Sequence, residues 1–288
     1  MGTSPARLAL FTAAFAAVAF AIYDVLPVHT HWHEIFRPAA LALLRGVSPY
    51  QIASNFFNPP WALIPLLPFA VLPEAIGNAL IGAATLSVFG LVAWKLGARA
   101  LVLILFLTQP LTLYNVVQVN VEWLVALGLL LPPRLGIFFV LVKPQLGGLV
   151  ALCWMIQAWQ VGRWRAVVQL VWPVVLAFAL SFAIFGNYLQ PALIVFHDPK
   201  FSFWPSSIAF GLATLVLAIR LGRPALGLTA AVLLSPYVEP YSVPLAVLGL
   251  VSEQALAAVW LIGSWFMFLD PTRSYVIERL LERWLPSS

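Results

Sequence analysis

Long apolar runs joined by short polar stretches fill most of this 288-residue sequence. Hydrophobic residues make up 62% of the chain and charged residues 9%, and the mean hydropathy is +0.98. An ordinary soluble domain has about 45–50% apolar and about 25% charged residues. The sequence therefore excludes a soluble globular enzyme, a disordered chain and a nucleic-acid-binding domain. It predicts an all-α fold in a polytopic membrane protein that is surrounded by membrane lipids.

The apolar runs predict about eight to ten transmembrane helices. Residues 8–27 follow Arg7 and approach the ~20 residues that a membrane span requires. Because Tyr23 and Asp24 stand where a signal peptide would have small residues, we expect a retained first helix with a cytoplasmic N-terminus. The other runs cover residues 61–73, 76–94, 99–114, 119–131, 135–158, 166–186, 206–222, 224–238 and 243–269. Three prolines make the first of these a candidate for a re-entrant or strongly tilted segment.

Basic residues between the apolar runs predict the orientation of the chain, because joints rich in lysine and arginine tend to be cytoplasmic. These joints contain Lys95 with Arg99, Arg163 with Arg165, Arg220 with Arg223, and Arg273 with Arg279 and Arg283. The longer connections at 28–60 and 187–205 then form two outer loops. Residues 272–285 are amphipathic, which predicts a C-terminal interfacial helix. Since no repeat or linker divides the chain, we expect residues 1–288 to form a single integral-membrane domain.

A short helix is predicted inside the first outer loop. Residues 38–45 begin with proline, which suits the first helical position, and end with arginine, which suits the negative C-terminal end. Gly46 can close this helix. Phe36, Ala40 and Leu44 recur every four residues and form an apolar stripe, which faces either the membrane surface or other helices.

Polar residues gather toward the predicted outer face, which suggests a polar chamber that opens away from the cytoplasm. The simpler interpretation is that they are ordinary loop residues. Glu122 and Lys143 fit that interpretation least, because both lie within apolar runs where a charge is costly. Pro144 breaks the helical pattern beside Lys143. The ammonium group at this break either binds a phosphate or reaches an interface along its apolar stem.

Three histidines alternate in the segment His29-Thr-His31-Trp-His33, and Glu34 follows. All three would point the same way in an extended strand, whereas only His29 and His33 would do so in a helix. Imidazole and carboxylate groups bind divalent metals and act as bases near neutral pH. The spacing matches no strong zinc motif, so we predict no cofactor, with a divalent metal as the alternative. The cluster itself has either a catalytic or substrate-binding role or is simply solvated. Cys153, the single cysteine, excludes an internal disulfide and is expected to be a core residue.

Five stretches, in order, carry a resemblance to one family. FRPAALALLRGVSPY (36–50) resembles a first-loop helix that ends in a Gly-x-x-Pro-Tyr turn, and FFNPPWALIPLLPFAVLP (56–73) an Asn-Pro-Pro entry to the second helix. VQVN (117–120) is similar to a Gly-Gln-x-Asn element, with valine in place of glycine. LVKPQLG (141–147) resembles a Lys-Pro-Gln element, and SPYVEPYS (235–242) a late Pro-Tyr turn. Over about residues 5–260 the chain therefore resembles polyprenol-phosphate-sugar-dependent glycosyltransferases of the GT-C type, specifically glycosyltransferase family 87.

The resemblance implies a GT-C-like fold, a helical membrane core whose active site faces the extracytoplasmic side. It implies a prokaryotic inner (plasma) membrane as the location. The donor would be a hexose, often mannose, on a polyprenyl phosphate, and the acceptor a glycan or lipid, so the chain would act in glycan biosynthesis. The residues agree on one point: there is no soluble domain or Gly-rich phosphate loop for a nucleotide-sugar.

The family also implies an acidic base in the first outer loop, near residue 31, where this chain has histidines followed by Glu34. Glu34 is therefore the first candidate base and Asp24 the second, with His31 or His33 as a histidine base. The implied substrate-binding residues are Lys143 and Arg37 for the phosphate, Asn58, Gln118, Asn120, Gln145 and Tyr237 for sugar hydroxyls, and Trp32 and Trp61 for stacking.

The departure at residue 31 keeps a second class of function open. If the catalytic acid is absent, the chain is a non-catalytic lipid-binding or transport-like membrane protein on a degenerate GT-C scaffold. Such a protein would tolerate the loss of both Asp24 and Glu34, whereas Lys143 would still matter for lipid binding. A secondary transporter would favour two halves with similar broken helices, and no internal repeat is evident in the sequence.

Overall fold

The computed structural model describes residues 5–23, 26, 30–189 and 202–268, and every regular element in those ranges is helical. The predicted all-α class is confirmed for this part of the chain, which contains no β-strand. The α-helices are α1 (Pro5–Tyr23), α2 (Arg37–Leu44), α3 (Pro49–Ile52), α4 (Leu67–Ala70), α5 (Glu74–Lys95), α6 (Ala100–Thr108), α7 (Pro110–Gln118), α8 (Glu122–Gly128), α9 (Pro133–Val140), α10 (Pro144–Phe185), α11 (Ile208–Arg220), α12 (Leu226–Leu234), α13 (Val243–Leu250) and α14 (Gln254–Phe268). A π-helix at Trp32–Phe36 precedes α2, and 3-10 helices at Pro60–Leu66 and Pro240–Ser242 precede α4 and α13.

Two of the described helices, α5 and α10, are long and apolar enough to cross a membrane. The pair α6 and α7 passes the same test together, although it bends by 51° where Gln109 and Pro110 interrupt it. Five further apolar segments have 10–17 residues, and one of them, Thr12–Tyr23, is the end of the 19-residue helix α1. At about 1.5 Å per residue, the other four fall short of a bilayer core of about 30 Å. Helix length therefore supports two or three spans, fewer than the eight to ten predicted from the apolar runs.

The 42-residue helix α10 is broken at Gly162 and Arg163, whose backbone dihedrals are not helical. The break coincides with the basic joint that the sequence predicts to be cytoplasmic. At about 1.5 Å per residue, the parts before and after the break are about 27 Å and about 33 Å long, so each is close to the thickness of a bilayer core. The two apolar runs predicted at 135–158 and 166–186 thus correspond to α9 with the first part of α10, and to the second part of α10.

The core forms where these helices pack pairwise along the chain. Helix α5 packs on α1 and α8, and α10 packs on α9 and α12. Helix α12 also lies against α11 and α13. Small residues line the contact face of α5, where Gly82 approaches Ile22 of α1. Small residues allow two helix backbones to approach closely. The described helices α8 to α13 therefore form one continuous packed body.

The first outer loop is well packed rather than extended over the surface. The predicted short helix is confirmed as α2, and Gly46 closes it in the left-handed conformation with a φ of +71°. The expected apolar stripe is divided: Phe36 and Ala40 are buried, whereas Leu44 is 51% exposed. Because residues four apart are offset by about 40° around an α-helix, the stripe enters the core at its beginning and leaves it at its end.

Some predicted features lie outside the described residues. These are the interfacial helix at 272–285, the central part of the second outer loop at 190–201, and two candidate site residues, Asp24 and His29.

Candidate functional site

A cavity of about 470 Å³ opens between the first outer loop, the start of α10 and the segment before α13. Its wall combines amide, aromatic, charged and apolar side chains. The lining residues are His31, Ile35, Phe36, Asn55, Phe57, Asn58, Asn120, Val142, Lys143, Pro144, Gln145, Leu146, Leu189, Tyr237, Val238, Glu239, Tyr241 and Ser242. Six separate stretches of the chain thus converge on one concave site, at the face where the sequence predicts a polar chamber.

A buried ion pair forms the base of this site. The Nζ of Lys143 lies 2.5 Å from Oε1 of Glu122 and donates a second hydrogen bond to Oδ1 of Asn120 at 3.1 Å. Glu122 is fully buried behind the lining residues and Lys143 is almost so. The ammonium group also lies 5.0 Å from the centre of the Tyr241 ring, on its face. A buried charge needs such partners because transfer from water is costly.

Further hydrogen bonds hold both carboxylate oxygens of Glu122. Ser242 donates its hydroxyl to Oε1 at 2.9 Å, and Asn115 donates its amide to Oε2 at 3.2 Å. The same Asn115 amide reaches the main-chain carbonyl of Tyr241 at 2.6 Å. Helices α7, α8 and α10 and the 3-10 helix before α13 are therefore joined through one carboxylate.

Asn120 connects this ion pair to the histidine of the first outer loop. Its Oδ1 accepts from Lys143 and from the backbone N–H of Val121 at 2.7 Å, and its Nδ2 lies 2.7 Å from Nδ1 of His31. The His31 ring also meets the Tyr241 ring edge-on at 5.2 Å. Since both ends of its amide are occupied, Asn120 organises the site more than it offers groups to a ligand.

Local backbone features place these side chains. Pro144 occupies the first helical position of α10, so Lys143 stands just before the helix with its backbone outside the helical region. Gly147 permits this arrangement because a Cβ there would lie 2.0 Å from the carbonyl oxygen of Val140. Val119 has a φ of +48°, a strained conformation for a β-branched residue, and turns the chain between α7 and Asn120.

Other cavity residues keep polar groups available. The amides of Gln145 and Asn55 line the cavity and make no hydrogen bond with the described residues. Asn58 is committed instead, since its Nδ2 donates to the carbonyl of Val142 at 2.9 Å. On the opposite segment Tyr237 donates its hydroxyl to Oε1 of half-buried Glu239 at 2.6 Å. The cavity therefore offers two amides and a carboxylate to a ligand.

A cluster of aromatic rings beside the end of α10 contacts the segment that carries Asn58, which lines the cavity. Tyr50 stacks on Tyr188 at 4.8 Å and donates its hydroxyl to the carbonyl of Asn58 at 2.8 Å. Phe182 stacks on the far side of Tyr188 at 5.0 Å. Burial raises the pKa of Tyr188 to about 12, and burial together with the adjacent Tyr188 raises the pKa of Tyr50 well above its usual value. Both phenols are therefore neutral at physiological pH.

The candidate bases separate in space. His31 lines the cavity. Glu34 is exposed and lies outside the lining, so the structure does not bring the first predicted base to the cavity. His33 turns to another partner, with Nδ1 2.5 Å from Oε1 of Glu74, and Asp24 is outside the described residues. The backbone from His31 to Phe36 is helical, so residues two apart lie on opposite sides and His31 and His33 reach different sites.

The predicted substrate-binding residues also divide into two groups. Those that line the cavity are Lys143, Asn58, Asn120, Gln145 and Tyr237. Arg37 lies 3.7 Å from Glu74 instead, and Gln118 donates to the hydroxyl of Tyr114 at 2.7 Å. Trp32 is fully buried, and Trp61 packs on Phe178 and donates to the carbonyl of Phe138. These four residues do not line the cavity and contact other parts of the protein instead.

Five residues that complete the site were not among the site residues predicted from the sequence. The omitted residues are Asn115, Glu122, Glu239, Tyr241 and Ser242. One signal was available for Glu122, because a carboxylate within an apolar run requires a partner. Within the described ranges, no group of three histidine, cysteine, aspartate or glutamate side chains is arranged to hold a metal ion, and Cys153 is buried.

Comparison of this chain with protein families, with curated proteins and with solved structures finds no match. The cavity and its surroundings are therefore interpreted from their own chemistry and from the sequence resemblance.

Proposed function

We propose that this chain is an integral-membrane hexosyltransferase that moves a sugar, with mannose as the leading candidate, from a polyprenyl-phosphate donor to an extracytoplasmic glycan or lipid acceptor. The observation that carries the proposal is the composition of the cavity wall. Uncommitted amides, a carboxylate, aromatic rings and one buried lysine converge on a single open cavity. A sugar needs these groups, since its hydroxyls pair with amides and carboxylates and its ring faces pack on aromatic side chains.

The size and position of the cavity support a sugar on a lipid carrier. Its volume of about 470 Å³ falls within the range of about 300–1,000 Å³ that is usual for small-molecule sites. Apolar residues such as Ile35 and Leu189 share the wall with the polar groups. A lipid-borne donor approaching from the bilayer would meet the apolar part with its chain and the polar part with its head.

Lys143 supplies the positive charge for the leaving phosphate. An ammonium group has three N–H donors, and Glu122 and Asn120 take two of those of Lys143. The third donor is left for a ligand in the cavity that Lys143 lines. Because Glu122 and Asn120 fix the amine in place, its charge is preorganised for the phosphate, which is the condition for electrostatic catalysis.

The same proposal includes the polytopic GT-C-like arrangement in a membrane. Helices α5, α10 and the pair α6–α7 would cross the bilayer, and the five shorter apolar segments would complete the embedded body as tilted or broken spans. Non-helical backbone at membrane depth is tolerated where it is buried in protein or lines a water-filled cavity. The breaks at Gln109 and Lys143 satisfy that condition, since Gln109 is fully buried and Lys143 lines the cavity.

The test is transfer of radiolabelled mannose from a short-chain polyprenyl-phosphate donor by the purified protein in nanodiscs, with a mixed glycan pool as acceptor. Wild-type protein should form labelled product. Gln145→Ala, which removes a free amide from the cavity wall, should lower transfer about tenfold through the loss of a hydrogen bond worth about 1.5 kcal/mol. Gln160→Ala is the matched control, because Gln160 is exposed on the same helix and does not line the cavity. Equal activity of the two variants would contradict the proposed sugar site.

One observation favours a second candidate, a non-catalytic lipid-binding or transport-like protein. Glu34, the acid that the resemblance implies as base, is exposed and does not line the cavity. A binding protein would retain polyprenyl-phosphate-mannose without transfer or release of the sugar. Binding of the labelled lipid that persists while no product forms would favour this candidate over the enzyme.

A further inference from the structure

We propose that Glu239 is the general base of this site, the residue that takes the proton from the acceptor hydroxyl. The inference rests on the proposed function. It assigns the role of base, for which the sequence made Glu34 the first candidate, to a residue about 200 positions later in the chain. Its starting point is that Glu239 is the one carboxylate among the described residues that lines the cavity.

The other carboxylates near the site are excluded by their partners or positions. Glu122 is fully buried behind the lining, and both its oxygens accept hydrogen bonds, one of them also from Lys143. Glu74 lies on the far side of the first outer loop with His33 and Arg37. Glu34 is exposed away from the cavity. A base must be within hydrogen-bond reach of the proton that it removes, and these three groups do not meet that condition.

Glu239 lies where it can come within hydrogen-bond reach of an acceptor in the cavity. Tyr237 donates its hydroxyl to Oε1 at 2.6 Å, which fixes the carboxylate and leaves Oε2 for an acceptor. Within the part of the chain that the structure describes, no cation pairs with Glu239. Its side chain is half-buried, so a ligand can reach it while bulk water is partly kept away.

The segment that carries Glu239 also ties it to the lysine. Glu239 precedes the 3-10 helix Pro240–Ser242, and its carbonyl accepts the N–H of Ser242 at 2.9 Å. Two residues of that helix belong to the buried network, since Ser242 bonds to Glu122 and the Tyr241 ring covers Lys143. The same turn therefore places the carboxylate of Glu239 at the cavity and packs Tyr241 over Lys143, so that a base and a cation line one cavity.

The acceptor oxygen forms a bond to the anomeric carbon as the bond between that carbon and the phosphate oxygen breaks. The polyprenyl phosphate leaves with the electron pair, stabilised by Lys143, and the acceptor proton passes to Oε2 of Glu239. Inversion at the anomeric carbon follows from attack on the face opposite the phosphate.

The first experiment compares two carboxylate variants of the full chain in nanodiscs with polyprenyl-phosphate-mannose and an acceptor pool that includes octyl mannoside. Glu239→Gln keeps the size and the Tyr237 contact but removes the base, so transfer should fall about 100-fold or more. Glu34→Gln should stay within about twofold of wild type, because the group lies outside the cavity. Loss of activity in Glu34→Gln with retention in Glu239→Gln would overturn the inference.

Azide separates a base from a merely structural residue. Azide is already an anion and needs no proton removed, so Glu239→Ala with azide should form mannosyl azide while it fails to transfer mannose to octyl mannoside. A Glu239→Ala protein that remains folded but yields neither product would overturn the assignment, because the residue would then be needed for more than proton removal. Thermal unfolding of each variant in detergent provides the folding check, and Glu239→Asp, which keeps the carboxylate, should recover part of the activity.

Wild-type protein that transfers mannose to no acceptor and forms no mannosyl azide would overturn the proposed function itself, and the inference with it. Active wild-type protein with an active Glu239→Gln variant would overturn the inference alone. The two failures are therefore distinguishable before any further variant is made.

Discussion

Two carboxylates of this protein pair with basic residues, one in the buried core and the other at the surface. Glu122 is fully buried and is bound by Lys143 at 2.5 Å, by Ser242 at 2.9 Å and by Asn115 at 3.2 Å. Glu74, the first residue of α5, is 29% exposed and pairs with two residues of the first outer loop. Its partners are His33 at 2.5 Å and Arg37 at 3.7 Å.

Burial, more than distance, separates the two clusters, since the shortest contact is the same in both. Water screens the surface pair and can replace either partner, so such pairs usually contribute little to stability. A buried ion that loses its partner has no such replacement. The Glu122 cluster is therefore expected to be indispensable for folding and for the cavity, whereas the Glu74 cluster is expected to be a modest local anchor.

The largest expected effect is on the buried cluster. Lys143→Met leaves the Glu122 charge buried without its cation and should lower the free energy of unfolding by about 3–5 kcal/mol. The double variant Lys143→Met with Glu122→Gln removes both charges and keeps groups that bond to Ser242 and Asn115. It should recover most of that loss. Unfolding in mixed detergent micelles measures both variants, and a single variant as stable as the double variant would remove the distinction between the two clusters.

An intermediate effect is expected where the backbone positions Lys143. A methyl group at Gly147 would lie 2.0 Å from the carbonyl oxygen of Val140, so Gly147→Ala should destabilise the protein by about 1–3 kcal/mol as the start of α10 shifts. Gly148→Ala is the matched control, since no heavy atom lies within 4 Å of its added Cβ. That variant should be neutral or more stable by up to about 1 kcal/mol, because alanine favours the helix. Equal melting temperatures for the two variants would contradict the close approach.

The smallest effect is expected at the surface cluster. Glu74→Gln should cost less than about 1 kcal/mol, and raising the salt concentration should reduce the difference from wild type further. The exposed pair of Arg223 and Glu253, 2.6 Å apart, provides a comparison. Glu253→Gln should behave like Glu74→Gln in the same unfolding assay. A cost for Glu74→Gln near that of Lys143→Met would show that the first outer loop depends on its surface ion pairs.

The sequence singled out several residues that the structure places together at the cavity, because the signals were local. Lys143 was singled out by its place in an apolar run, and Pro144 marked the break before α10. Asn58, Asn120 and Gln145 were selected from short motifs and all line the cavity. The roles assigned to them stay predictions.

Other parts could not be predicted because they depend on how helices rotate against one another. His31 and Glu34 lie three residues apart, yet the intervening π-helix turns only His31 toward the cavity. Trp32 was expected to stack on a ligand, and the same turn buries it completely. A rotation of this size leaves no trace in the spacing of hydrophobic residues, since a π-helical turn differs from an α-helical turn by a single residue.

The sequence by itself determined that the described chain is helical and strongly apolar, that a short helix closes at Gly46, and that a charged residue stands at the break before α10. These features follow from composition and from patterns within a few residues. The tertiary structure alone decided which groups meet. Glu122 pairs with Lys143 across 21 positions and with Ser242 across 120, and Glu239 reaches the same cavity as His31. Contacts at such separations depend on the packing of whole helices, which local periodicity does not encode.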